Sequence, residues 1–150
     1  MKKILFLLLV SAVFSIGCSK KLITMNNLLK EKGVMDTTDN PARKRLVEKN
    51  LLTKRIELKN ILVKDIIEST IIDYDFAVIV ELMVDGKKIE CYVYTKNLAM
   101  VARLKKGKSK INISGHFNRF FTMLDEYYTK IEIVEARISK YKPELKKKKK

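Results

Sequence analysis

Residues 76–95, FAVIVELMVDGKKIECYVYT, decide how the rest of the chain is read. Phe76, Val78, Val80 and Leu82 alternate with Ala77, Ile79 and Glu81, the two-residue period of a strand that buries one face. Beyond Asp85-Gly86 the alternation resumes, with Ile89, Cys91 and Val93 on the apolar side and Glu90, Tyr92 and Tyr94 on the other. Asp-Gly between two such runs predicts a two-residue turn, because that turn requires positive φ. The stretch is therefore a β-hairpin with one core face and one face of carboxylates and tyrosines. Cys91, on the core side, reads as a buried, inert thiol.

Three further strand-like runs flank the hairpin. Upstream, Ile56 and Leu58 are followed by Ile61 and Val63, and the break in period between Leu58 and Ile61 predicts a bulge. Downstream, Asn97 to Lys106 predicts a helix through Leu98, Val101, Ala102 and Leu104, ended by Gly107. Ile111, Ile113, Gly115 and Phe117 form a fourth strand, and Ile131 and Ile133, with Val134 or Glu135, a fifth. Before all of these, Asn40-Pro41 starts a helix, since Asn caps and Pro suits the first helical position. Its residues Ala42, Leu46, Val47 and Leu51 are expected to cover the core. The fold expected is mainly β, with a helix between strands three and four and another helix in front. A small α+β domain is the alternative.

Three strands, a helix and two strands is also the order of OB barrels. Leu104-Lys105-Lys106-Gly107-Lys108 followed by Ile111-Asn112-Ile113-Ser114-Gly115 resembles the passage into the fourth strand of OB domains. It is most similar to small bacterial OB-fold lipoproteins related to the tRNA-anticodon-binding type. The resemblance spans roughly Arg55 to Ile138 and implies a five-stranded barrel over residues 55–139. It departs from the family at Asn60, where OB domains often carry a glycine that lets strand one coil.

The resemblance also implies where a ligand would sit, on the outer face of strands two and three and its rim loops. That places Tyr74, Ile79, Glu81, Glu90, Tyr92, Tyr94, Tyr127 and Tyr128 on a candidate face. The rings suit stacking on a base or sugar. Glu81 and Glu90, with Asp73, Asp75, Asp125 and Glu126 at the rims, are expected to repel phosphate, and this disfavours nucleic acid as a partner. Packing against the helix or a protein partner is the favoured role for the tyrosines. Catalysis finds no constellation. Asp65, Glu68, Asp73 and Asp75 match no nuclease spacing, and His116, the one histidine, reads as an ordinary strand residue. No Gly-rich phosphate loop, Ser/His/Asp set or zinc set is legible, so the expectation is a non-enzyme with no cofactor and no metal.

The two ends of the chain carry a different signal. Residues 1–20, MKKILFLLLVSAVFSIGCSK, place two lysines before an apolar run too short to span a bilayer, and small residues with Cys18 follow. Ser15-Ile16-Gly17-Cys18 resembles the lipobox of bacterial lipoproteins, with Ser15 where the family most often has Leu. The resemblance implies cleavage after residue 17 and acylation of Cys18, palmitate included. It also implies an envelope location, with the outer membrane favoured by Ser19 and the periplasmic or surface side open. Residues 18–39 then read as a tether, with Leu22, Met25, Leu28 and Leu29 on one face of a short helix ended by Gly33, and 40–54 as the helix. At the other end, residues 140–150 form a lysine-rich tail, with Lys146, Lys147, Lys148, Lys149 and Lys150 consecutive. The formal charge of +15 is concentrated at the ends, since Leu52 to Ser139 holds 15 basic against 12 acidic residues. That locates any polyanion contact in the tail as much as in the barrel.

Together these features predict an envelope lipoprotein acting as a binding or scaffolding module. Its partners would be the membrane, through the lipid, and an envelope protein or anionic polymer, with the oligomeric state open. The alternative is an OB protein that binds glycan or nucleic acid through the tail lysines and face tyrosines. Labelled palmitate should enter the wild-type protein and be absent from Cys18→Ala; label retained by that variant would refute the anchor.

Overall fold

The computed structural model describes residues 21–121 and 129–142. A short strand, β1 (Leu22–Ile23), leads into two helices, α1 (Met25–Thr37) and α2 (Pro41–Leu52). Five long strands follow: β2 (Arg55–Glu68), β3 (Phe76–Val84), β4 (Lys87–Tyr94), β5 (Lys110–Phe121) and β6 (Thr129–Lys140). A single helical turn, α3 (Leu98–Val101), joins β4 to β5. The sheet order is β2-β3-β4-β6-β5, and β2 pairs again with β5, so the five strands close. All barrel pairings are antiparallel except β4 with β6. This is the OB barrel that the strand order implied, with the expected first strand appearing as β2.

Closure depends on β2 turning from one neighbour to another. Its first half pairs with β5, Arg55 opposite His116 through Leu58 opposite Ile113, and its second half with β3. Between Leu58 and Ile61 the register shifts, and Asn60 takes φ of 57°. Asparagine tolerates this left-handed conformation far better than a β-branched residue does, which is how it stands in for the family's glycine. Its backbone N–H donates to Asn112 Oδ1 of β5 at 2.9 Å, so the bulge is tied across the seam. The other predicted turn is also present: Asp85 and Gly86, at φ of 50° and 74°, join β3 to β4.

The core is lined by Ile56, Leu58 and Val63 of β2, Val78 and Val80 of β3, and Ile89, Cys91 and Val93 of β4. Ile111, Ile113 and Phe117 of β5 and Ile131 and Ile133 of β6 complete it. Burial pushes the Cys91 thiol up to about 12, with the nearby Glu90 charge adding to the shift. Gly115 sits where no side chain fits. A Cβ there would lie 2.6 Å from Ile133 Cγ2, 2.9 Å from the Val134 carbonyl oxygen and 3.1 Å from Ala136 Cα. The β6 backbone bends inward at that level, with Glu135 at φ of 50°.

The N-terminal segment departs from expectation in two ways. The helix predicted to stop at Gly33 runs on to Thr37, and residues read only as a tether pack, with Leu28 fully buried. β1 adds to β2 in parallel, Leu22 opposite Arg55 and Ile23 opposite Ile56. α2 starts as predicted, with Asn40 Oδ1 accepting from the N–H groups of Ala42 and Arg43. Its inner stripe is Val47 and Leu51, whereas Leu46, expected to cover the core, is 69% exposed. Leu46 lies about 100° of helical turn from Val47, enough to carry it around to solvent. The helix predicted over Asn97 to Lys106 is one turn, Leu98–Val101, followed by turns to Gly107 that still bury Leu104.

Gly115→Val should cost at least the roughly 1–3 kcal/mol of an overpacked core, because two of the three clashes are with backbone. Asn60→Gly should be close to neutral, whereas Asn60→Val should lose about 1–2 kcal/mol to the positive φ. Urea denaturation of the three variants checks both.

Candidate ligand face of the barrel

The outer faces of β3, β4, β6 and β5 form one surface, and pairing fixes its rows. Ile79 lies opposite Tyr92, Tyr92 opposite Glu132, and Glu132 opposite Arg119. In the next row Glu81 lies opposite Glu90, Glu90 opposite Lys130, and Lys130 opposite Phe121. Each row alternates with a core row because successive strand residues point to opposite faces. Lys64 reaches the surface from β2, on the far side of the Asn60 bulge.

The carboxylates on this face are all paired. Glu90 accepts from Lys64 and lies 3.2 Å from Lys130 Nζ. Glu81 lies 2.8 Å from Lys88 Nζ and 3.2 Å from Lys64 Nζ. Glu132 takes a bidentate contact from Arg119, at 2.7 and 2.8 Å, and a third bond from Asn118 Nδ2 at 2.9 Å. Such fork-on-carboxylate pairs are among the stronger charge-assisted bonds. The Glu90 bond, partly opposed by burial, raises Lys64 above the usual lysine range. Glu132 does the same for the Arg119 guanidinium. Lys88 first, and Lys64 after it, hold Glu81 below the usual carboxylate range.

In two of these ion pairs the cation is the exposed partner, while Lys130 is buried beside Glu90 and Glu81 is partly exposed. The Glu90 and Glu132 side chains are 4% and 3% exposed, whereas Lys64 and Arg119 are 42% and 59% exposed. Two aromatic rings sit among the cations. Tyr92 meets Phe121 edge to face at 5.1 Å between centroids, Lys130 Nζ lies 5.3 Å from the Tyr92 ring, and the Arg119 guanidinium 5.8 Å from that of Phe121. Lys130 Nζ also donates to Tyr92 Oη at 3.2 Å.

The predicted face residues are therefore only partly where they were expected. Tyr92, Glu81 and Glu90 share the surface, but Glu90 is buried beneath its lysines. Tyr94 is 2% exposed and so is not available to stack on a ligand. Burial is also what chiefly raises its hydroxyl pKa. Tyr74 packs against Tyr94 at 5.6 Å, and its hydroxyl accepts from the Glu135 N–H at 3.0 Å, which clamps the β2–β3 loop to the bend in β6. With Thr95, Lys96, Asn97 and Glu135 it borders an open cleft of about 620 Å³. Tyr127, Tyr128, Cys18 and Lys146 to Lys150 lie outside the described residues. Lys64, Arg119, Phe121, Lys130 and Glu132 were not singled out in the sequence. The β6 pair was accessible from alternation, because inward Ile131 and Ile133 put Lys130 and Glu132 outward. The position of Lys64 depends on the phase of the bulge, which alternation alone does not give.

No family model matches this chain, and no curated protein matches it. Among solved structures, it is similar to an Entamoeba histolytica asparaginyl-tRNA synthetase bound to asparaginyl-adenylate, at 16% identity and a TM-score of 0.36. The match covers 60% of this chain and 21% of the synthetase, so the chain spans about a fifth of that protein's length. It is also similar to a mitochondrial single-stranded DNA binding protein of S. cerevisiae, at 10% identity and a TM-score of 0.33, over 59% of this chain and 96% of that one.

The ion pairs of this face correct one expectation. Nucleic acid was disfavoured as a partner because Glu81 and Glu90 were expected to face a phosphate backbone. Both glutamates are instead paired with Lys64, Lys88 and Lys130. The exclusion is withdrawn.

Glu90→Gln removes the negative charge shared by Lys64 and Lys130. Breaking a buried pair from one side should cost about 3–5 kcal/mol in urea denaturation. Acid should loosen the same face through Glu81. A carboxylate with a depressed folded pKa stabilises above its unfolded value and loses that contribution as pH falls through the folded one. The acid limb of the stability profile should therefore be shallower in Glu81→Gln.

Proposed function

We propose that the protein is a membrane-anchored, non-catalytic OB module that binds an anionic polymer, glycan or nucleic acid, on the β3-β4-β6-β5 face. The observation that carries this reading is that Lys64 and Arg119 stand exposed over two buried carboxylates. An approaching polyanion meets Lys64 and Arg119 at the surface, while Glu90 and Glu132 lie beneath them. Phosphate, sulfate or carboxylate groups would exchange condensed counterions for these cations, so affinity would fall steeply with salt. Tyr92 and Phe121, both half-buried, offer ring edges and faces for a base or sugar. Lys140, Lys142 and Lys146 to Lys150 would add a contribution blind to the ligand's rings.

The anchor in this reading comes from the lipobox-like Ser15 to Cys18, which would hold the module at the cell envelope, at the outer membrane in preference. The ion pairs support the reading without a chemical step. Glu81, Glu90 and Glu132 are committed to lysine and arginine.

Binding of the Ser19–Lys150 protein to heparin and to a labelled oligothymidylate, measured across a salt series, tests the proposal. Deleting Lys146 to Lys150 should weaken both and abolish neither. Tyr92→Ala or Phe121→Ala should weaken the oligonucleotide by about ten-fold, within the roughly 1–3 kcal/mol that stacking contributes per base. Binding that disappears with the tail and ignores both ring variants would refute the face.

A further inference from the structure

A helix that covers a core needs one apolar stripe, and α2 carries two further leucines outside its own. Val47 and Leu51 face inward, while Leu46 and Leu52 are 69% and 44% exposed. At 100° per residue, Arg45, Leu46, Lys49 and Leu52 share the outer side. The helix carries Arg43, Lys44, Arg45 and Lys49 against Glu48 as its one carboxylate, and Arg45 binds Glu48 at 2.8 Å. Among the described residues, this outer side stays open at Leu46 and Leu52. The N-terminal chain is led to the same end of the molecule. β1 pairs Leu22 with Arg55, three residues beyond Leu52, and the Lys21 carbonyl accepts the Arg55 N–H at 3.2 Å. Leu22 is itself 55% exposed. Lys21 is three steps along the chain from Cys18, a span of at most about 11 Å.

We propose that the outer side of α2, with Lys21, Leu22 and Lys54 beside it, is a docking surface for an anionic lipid bilayer. This inference rests on the lipid-anchored reading of Cys18. Acyl chains on that residue would hold α2 within a few residues' reach of the headgroups. Leu46 and Leu52 then contact the interface while the lysines and arginines meet anionic headgroups. The barrel stands on its α1–α2 end. Ile72, fully exposed in the β2–β3 loop, lies outside this surface.

The mature lipidated protein carries an acylated Cys18 and a buried Cys91, so an introduced cysteine is the thiol a label reaches. Leu46→Cys and Ile72→Cys, each labelled with an environment-sensitive fluorophore, are reconstituted in phosphatidylcholine vesicles with brominated chains, with and without phosphatidylglycerol. The label at 46 should be quenched, more strongly with phosphatidylglycerol, and the label at 72 should not. Arg45→Gln with Lys49→Gln should reduce the docked population by about five-fold per cation. Equal quenching at both positions, or none at 46 in a protein that floats with the vesicles, overturns the docking surface alone. A protein that fails to float overturns the anchor and the docking surface together.

Discussion

A closed five-stranded barrel requires one strand to serve two partners, and β2 carries that requirement. A uniformly twisted strand of 14 residues cannot follow β5 and then β3 without a bend. Asn60 supplies the bend through a positive φ, and Asn112 holds its N–H in place. On the neighbouring strand β5, Gly115 admits the β6 backbone at the level where Glu135 bends it. Close packing leaves no slack to absorb a change at either position. The two irregularities also set which way later side chains point, since one extra residue reverses the alternation. Lys64 faces outward over Glu90 because of the bulge that precedes it.

The ionic surface follows from that phase. Placing Glu90 and Lys130 side by side at a few percent exposure costs desolvation that an apolar pair would avoid. What the arrangement contributes is a fixed orientation. The carboxylates are drawn under the cations, and the rings of Tyr92 and Phe121 are held between them. A surface whose residue types are nearly balanced in charge thus presents mainly cations to solvent. Composition counts charges, but a ligand meets only those that are exposed.

The parts of the fold legible in the sequence were those governed by short-range rules. Asp85-Gly86 marked a turn, two-residue alternation marked β3 and β4, and Asn40-Pro41 marked the start of α2. The bulge was legible as a lost beat between Leu58 and Ile61, although its conformational cause lies in Asn60. Features set by tertiary packing were misjudged. Gly33 stays inside α1 because the helix is held by packing through Leu28, and Leu46 faces water because the core takes only one side of α2. The candidate face was half legible. Tyr92 could be placed from its strand, but the burial of Tyr94 under Tyr74 and the partners of Glu90 come from strands and loops far apart in the chain. Those pairings exist only once β6 lies between β4 and β5.

That position of β6 has a consequence for how the chain matures. The last strand in sequence is an interior strand of the sheet, joined in parallel to β4 by pairs such as Cys91 with Ile131. Until it arrives, β4 and β5 each present an open edge, and neither can be satisfied by the other. Contacts of such long sequence separation form slowly, because loop-closure entropy precedes their reward. The β3–β4 hairpin can form early, but the barrel becomes a barrel only by strand insertion. A chain threaded across a membrane from its N-terminus would thus emerge with its sticky edges first and their cover last.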